Sequence, residues 1–117
     1  MKVLIVDDED SVRRSLQRAF TVSGHEVRAS SDGDEGLILW REFDPDLVVL
    51  DLIMPRKSGR EVLKEIGQNR RAKVILISAW VGDYSSKWSD EVSADLFLPK
   101  PFSDIFAVVQ AAEGLVS

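Results

Sequence analysis

The sequence contains no cysteine, and its only histidine is His25. The lack of cysteine excludes disulfide bonds, thiolate metal sites and cysteine nucleophiles. His25 lies in the turn between a predicted helix and a predicted strand, so we expect a solvated loop residue there rather than a phosphorylated one. A metal site in this chain is left with hard oxygen ligands.

Excess positive charge and long apolar runs are also lacking. The net charge of -5 and the pI near 4.8 argue against a nucleic-acid-binding surface, which needs a basic face. No run approaches the roughly 20 apolar residues of a membrane span. The apolar start ends at Asp7, too early for a signal peptide. With 117 residues, we expect one soluble, cytoplasmic domain over residues 1–117 that does not contact membranes.

Short apolar segments alternate with stretches whose apolar residues recur at the helical period. The predicted strands are 2–6, 26–29, 46–50, 73–77 and 95–98. Apolar stripes mark four helices, and Trp40 and Phe43 on one of them are expected core residues. A fifth, short helix is predicted at 86–92. The last helix is marked by Phe102, Ile105, Phe106, Val109 and Ala112, with Gly114 as its stop. Such alternation predicts an α/β fold with a doubly wound parallel sheet.

The ends of strands one, three, four and five share one edge of such a sheet, which is where ligands bind. The residues at those ends are Asp7, Asp8, Asp51, Ser78 and Lys100. Neighbouring carboxylates require a proton or a cation among them, and oxygen ligands favour Mg²⁺. Lys100 can pair with Asp51 or a phosphoryl group, to which Ser78 and the Ala79 N–H can donate hydrogen bonds. These groups predict a phosphoryl-transfer site with Asp51 as nucleophile.

Each of these residues also has a purely structural interpretation. An acidic group favours the positive end of a helix, and one aspartate could be the N-cap. Asp51 and Ser78 could begin turns, and Lys100 could be solvated between two prolines. The combination at four strand ends favours the functional interpretation, because fold pattern and chemistry agree independently.

The chain resembles the receiver domains of two-component response regulators over essentially its whole length. The matching motifs are Val6-Asp7-Asp8, Leu50-Asp51-Leu52-Ile53-Met54-Pro55 with Gly59, Ser78-Ala79, and Lys100-Pro101-Phe102. The resemblance implies a flavodoxin-like (βα)5 fold with strand order 2-1-3-4-5 and helices on both faces. It also makes the bond between Lys100 and Pro101 a candidate cis peptide.

The resemblance implies that Asp51 accepts a phosphoryl group from a phosphohistidine, forming an acyl phosphate. The donor would be a sensor histidine kinase or a histidine phosphotransfer protein. Mg²⁺ would be bound directly by Asp8, Asp51 and the backbone carbonyl of Ile53, and through a water by Asp7. The chain would be a signalling phosphoacceptor rather than a turnover enzyme, with no nucleic acid bound by this domain and a homodimer as one option.

The resemblance also implies a switch. Lys100 would contact the phosphoryl group, as would the Ala79 N–H. Ser78 would move toward it, and Phe97, three residues before the lysine, would change rotamer with that movement. Ser78 replaces the commoner Thr of the family, and Phe97 lacks the hydroxyl of the frequent Tyr.

Two positions that tune dephosphorylation in the family are Ile53 and Trp80 here. Because neither side chain can orient an attacking water, we expect slow self-hydrolysis. Ser93 stands where the family often has Gly and is expected to alter the turn into strand five.

Two other function classes remain open. The run from Asp8 to Val12 superficially resembles the nucleophile motif of haloacid-dehalogenase-type phosphatases, with Asp8 as nucleophile and Asp10 as acid. A receiver-like binding module that is never phosphorylated is the second. Tyr84 and Trp88 either cover the sheet or form a partner-binding face. Nothing after Gly114 is long enough to be an output domain, so the sequence fits a stand-alone receiver or a piece of a larger regulator.

Overall fold

The computed structural model describes residues 1–67, 69–79 and 94–117. Its five strands are β1 Lys2–Val6, β2 Glu26–Ser30, β3 Leu47–Asp51, β4 Lys73–Ser78 and β5 Leu96–Pro99. Its four helices within the described ranges are α1 Asp10–Val22, α2 Gly33–Phe43, α3 Gly59–Ile66 and α4 Ile105–Val116. The helix predicted at 86–92 lies outside the described residues, as do Trp80, Tyr84, Trp88 and Ser93.

The strands form one parallel sheet in the order β2-β1-β3-β4-β5. The predicted fold class and strand order are therefore confirmed. The sheet has helices on both faces. Successive side chains of each strand point to opposite sides, so every strand contributes to both of these packed faces. None of the helices among the described residues is long and apolar enough to cross a membrane.

Each face of the sheet carries its own core. On one face, the strands pack against α2 and α3. The predicted core residues Trp40 and Phe43 come from α2, and α3 contributes Val62 and Leu63. On the other face, the strands pack against α1 and α4, with Phe20 and Val109 among the buried residues. The three inner strands β1, β3 and β4 are almost fully buried and are runs of Val, Leu and Ile.

The last helix differs from its prediction at both ends. It begins at Ile105 rather than near Phe102, because the Asp104 side chain accepts the backbone N–H of Phe106 and caps the helix there. It continues through Gly114 to Val116, so the predicted stop is wrong. An exposed glycine weakens a helix without breaking it.

Two other local predictions are also wrong. The N-cap of α1 is Glu9 rather than an aspartate, and it makes no side-chain capping bond with the described residues. His25 is not a solvated loop residue, because its side chain is only 13% exposed. Its Nδ1 lies 3.1 Å from the amino group of Met1, and its Nε2 lies 2.7 Å from Glu113 Oε2. His25 thus joins the chain start to α4.

Helix α2 comes unusually close to the sheet at Gly36. A Cβ atom at that position would lie 2.8 Å from Val6 Cγ1 and 2.9 Å from Val6 Cγ2. Val6 is fully buried and its β-branched side chain has little rotamer freedom, so it cannot yield. Gly36 therefore sets the distance between α2 and β1.

We expect Gly36→Ala to lower the free energy of unfolding by about 1–3 kcal/mol, the usual result of overpacking a core. Gly114→Ala is the matched control, because Gly114 is also helical but a Cβ there meets nothing within 4 Å. That change should be neutral or stabilise by up to about 1 kcal/mol. Urea unfolding followed by circular dichroism measures both. Equal effects of the two substitutions would contradict the close approach.

Candidate functional site

The strand register brings the predicted site residues to one edge of the sheet. Val6 pairs with Leu50, so Asp7 and Asp51 follow a paired position on neighbouring strands. Asp51 pairs with Ile77, which immediately precedes Ser78. Ser78 in turn pairs with Pro99, the residue before Lys100.

Asp7, Asp8 and Asp51 form an acidic cluster at this edge. One carboxylate oxygen from each lies within 4.8 Å of those of the other two. Asp7 and Asp51 are buried, and Asp8 is exposed to solvent. The cluster therefore has two ligand groups fixed by the sheet and a third at its open side.

Lys100 is buried within this cluster. Its Nζ lies 2.8 Å from Asp7 Oδ2 and 3.1 Å from Asp51 Oδ2. Its backbone N–H donates to the carbonyl of Ser78 at 2.8 Å, and the bond to Pro101 is cis, as the resemblance implied. A solvated lysine between two prolines is excluded, because this side chain is only 5% exposed.

Negative charge exceeds positive charge among the buried groups at this edge. Burial, and then the negative charge of Asp7, raise the pKa of Asp51 from 3.8 to about 7, although Lys100 opposes both. Burial by itself would lower the pKa of Lys100, but its contacts with Asp7 and Glu9 and the charge of Asp51 outweigh burial and raise it. One ammonium thus does not fully balance the buried carboxylates.

The donor set also fits a hard divalent cation. Asp7 Oδ1 accepts the N–H of Glu9 at 2.9 Å, whereas its buried Oδ2 receives no hydrogen bond from any described residue. That oxygen lies 2.8 Å from the Lys100 Nζ. Three carboxylates without a histidine or thiolate are the chemistry that Mg²⁺ prefers.

The loop after Asp51 is held close to the Asp51 carboxylate. The Ile53 N–H donates to Asp51 Oδ1 at 3.3 Å, while the Ile53 side chain is 55% exposed. Gly59 begins α3 directly beneath this loop, because a Cβ there would lie 2.3 Å from the carbonyl oxygen of Asp51. At the far end of the loop, the Lys57 Nζ lies 2.6 Å from Glu65 Oε2 of α3. The backbone carbonyl of Lys57 packs directly against Gly33 of α2, where a Cβ atom would lie 2.1 Å from the carbonyl oxygen.

The remaining predicted residues lie at or near the same edge. Ser78 is buried at the end of β4, and Ala79 follows it at the exposed edge. Phe97 pairs with Leu76 and packs partly buried against the core on the α2 and α3 face. Because Leu76 and Ser78 point to the same face of β4, Phe97 and Ser78 are diagonal neighbours. Trp80 lies outside the described residues.

One residue at the site was missed by the sequence interpretation. Glu9 directs its carboxylate to Lys100, with Oε1 2.8 Å from Nζ. In the sequence, Glu9 is marked only by its place in the acidic run that begins with Asp7 and Asp8. Such a run is equally well explained by the positive end of the helix that follows. Asp10, by contrast, has a side chain that is 70% exposed, pairs with Arg13 and lies outside the acidic cluster.

Comparisons with known proteins identify the family to which the chain belongs. A family model of the response regulator receiver domain matches residues 3–112. The chain is 40% identical over 103 residues to a probable transcriptional regulator, ycf27, of Porphyra purpurea, covering 87% of this chain and 42% of that protein. It is 39% identical over 108 residues to the response regulator RR06 of Streptococcus pneumoniae, covering 92% and 50%. The chain thus spans half or less of these two relatives.

Solved structures show the same fold. The receiver domain of the Francisella response regulator 1452 is 28% identical, with a TM-score of 0.87 over 98% of this chain and 95% of that one. A receiver domain protein of Methanospirillum hungatei shares the fold at a TM-score of 0.89 and 23% identity, over 98% of this chain and 92% of that one. The family match and the relatives exclude the phosphatase interpretation. The chain belongs to the family of response regulator receiver domains, signalling domains of two-component systems.

Proposed function

We propose that this receiver accepts a phosphoryl group on Asp51. The observation that carries the proposal is the meeting of Asp7, Asp8, Asp51 and Lys100 at one sheet edge. Asp51 ends the fully buried strand β3, which is the middle strand of the sheet. Its donor would be a phosphohistidine of a sensor histidine kinase or of a histidine phosphotransfer protein.

Mg²⁺ is the cation that we propose for the acidic cluster. Asp8, Asp51 and the backbone carbonyl of Ile53 would bind it directly, and Asp7 would bind it through water. When bound, the ion supplies positive charge for the phosphoryl oxygens and favours the ionised form of Asp51. The raised pKa of Asp51 supports this assignment, since without such charge the carboxylate is partly protonated near neutral pH.

In the transfer step, a carboxylate oxygen of Asp51 forms a bond to phosphorus as the bond from phosphorus to the donor imidazole nitrogen breaks. The electron pair of that bond stays on the nitrogen, which takes a proton from solvent, and the product on this chain is an acyl phosphate. Lys100 would pair with a phosphoryl oxygen. The Ser78 hydroxyl and the Ala79 N–H would donate hydrogen bonds to others, so the chain mainly positions groups and neutralises charge.

The same contacts would drive a switch. Ser78 would move toward the phosphoryl group, and the rotamer of its diagonal neighbour Phe97 would follow. Phe97 lies on an edge strand and is only partly buried, so its repacking would alter the surface. Phosphorylation would thus shift a population between two surface arrangements. Several longer relatives are named transcriptional regulators, so we propose that this surface controls transcription. We place this activity in the cytoplasm and propose a homodimer as one active form.

We expect Asp51→Asn to abolish covalent labelling by acetyl phosphate in the presence of Mg²⁺, because the amide is not a nucleophile. Asp10→Asn is the control, since Asp10 pairs with Arg13 outside the cluster and should leave labelling intact. Intact-protein mass spectrometry reports the added phosphoryl group. Persistent labelling of Asp51→Asn would overturn the assignment of the acceptor.

The acyl phosphate should decay slowly, over minutes or longer, because the Ile53 side chain is apolar and cannot orient an attacking water. Decay is timed on labelled protein with Mg²⁺ present after removal of the donor. Ile53→Asn should shorten the lifetime, since an exposed amide at this position can hydrogen-bond to water. Loss of the label within seconds in the unaltered protein would refute this expectation.

The raised pKa of Asp51 predicts a pH-dependent stability. A carboxyl that binds its proton more tightly in the folded chain makes the free energy of unfolding decrease as pH rises from about 4 to about 7. In EDTA, Asp51→Asn should therefore be as stable as the unaltered protein near pH 4. Near pH 7 it should be more stable, by up to about 4 kcal/mol. Thermal unfolding across this pH range tests it, and a pH-independent difference would contradict the burial effect.

A further inference from the structure

Three carboxylate oxygens surround the ammonium group of Lys100. They belong to Asp7 at 2.8 Å, Glu9 at 2.8 Å and Asp51 at 3.1 Å. The ammonium donates hydrogen bonds to Glu9 and Asp51 and forms an ion pair with Asp7, so three carboxylates take the nearest positions around it. A phosphoryl oxygen that takes one of these positions displaces a carboxylate.

The three carboxylates differ in their freedom to withdraw. The Asp7 side chain is fully buried, and separating it from Lys100 would leave a buried charge without compensation. The Asp51 side chain is 5% exposed, and it is itself the proposed acceptor. The Glu9 side chain is 53% exposed, so its carboxylate can turn into water at little cost.

The backbone holds Glu9 where it can reach Lys100. The Glu9 N–H donates to Asp7 Oδ1 at 2.9 Å, and the Glu9 carbonyl accepts the N–H of Arg13 in the first turn of α1. The side chain makes no capping bond to this helix within the described residues. Its carboxylate instead reaches across the site and accepts a hydrogen bond from Lys100, 91 residues further along the chain.

We propose that Glu9 is a positioning residue whose carboxylate occupies, before phosphorylation, the place at Lys100 that a phosphoryl oxygen takes afterwards. This inference rests on the proposed acceptor role of Asp51. Glu9 acts as an internal competitor for the incoming phosphoryl group, and it restrains transfer until it is displaced. It also places a negative charge beside the path of an anionic donor.

The test compares three variants in labelling by acetyl phosphate at saturating Mg²⁺. Glu9→Gln weakens the contact with Lys100 and should increase the labelling rate about threefold to tenfold. Asp10→Asn removes the same unit of charge one residue away, from a carboxylate paired with Arg13, and should change the rate less than twofold. Glu9→Asp keeps the charge but is one methylene shorter, so it should share part of the increase.

Two further measurements separate positioning from a structural or a long-range electrostatic effect. Beryllofluoride, a non-covalent mimic of the phosphoryl group, should bind Glu9→Gln about threefold to tenfold more tightly in calorimetry. The nitrogen–proton NMR signal of the Lys100 ammonium, recorded without metal, should shift in Glu9→Gln but not in Asp10→Asn. The rate increase should also persist at high salt, which screens a long-range effect.

Failure of this inference is distinct from failure of the acceptor function. If the unaltered protein is labelled on Asp51 but Glu9→Gln is labelled no faster, the competitor role is overturned and the acceptor role stands. Equal acceleration by Asp10→Asn would also overturn it, in favour of general charge. If the unaltered protein is not labelled, both proposals fail.

Discussion

The structure depends on a charge balance at the carboxyl edge of the sheet. Two aspartates at the ends of buried strands are held beside one buried lysine, with Asp8 and Glu9 completing the acidic surroundings from the open side. Buried carboxylates are unfavourable unless they are paired, and a single ammonium leaves the pKa of Asp51 near 7. The partial pairing allows the chain to fold with these charges buried, and the remaining negative charge still favours a further cation. The proposed binding of Mg²⁺ and the proposed reactivity of Asp51 would both follow from this incomplete neutralisation.

The sheet makes that balance possible by fixing where each charge lies. Parallel register sets Asp7 beside Asp51, and places Ser78 and Lys100 at the ends of the next two strands. Two glycines then let helices approach the strands closely, Gly36 over Val6 and Gly59 beneath the carbonyl of Asp51. A side chain at either position would displace a helix, and with it the edge of the sheet or the loop that carries Ile53.

Much of this arrangement is predictable from sequence, because buried parallel strands are continuous apolar runs and their ends are marked by polar residues. That pattern predicts the positions of Asp7, Asp51 and Lys100, whereas the strand order followed from the family resemblance. Glu9 and His25 were not predictable in the same way. Both make contacts to residues about 90 positions away, with Lys100 and Glu113, and no local pattern encodes such a partner. Gly114 shows the opposite error, where a strong local signal is overridden by the packing of α4 on the sheet.

The two separate cores have a mechanical consequence. Ser78 and Phe97 point to the face covered by α2 and α3, whereas α1 and α4 rest on side chains of the opposite face. The backbone of the sheet separates these two cores. A rotamer change at Phe97 would loosen the packing in one core and leave the other as a rigid base. With the proposed switch, the core beneath α2 and α3 would change its packing, while the core beneath α1 and α4 would keep the acidic edge in register.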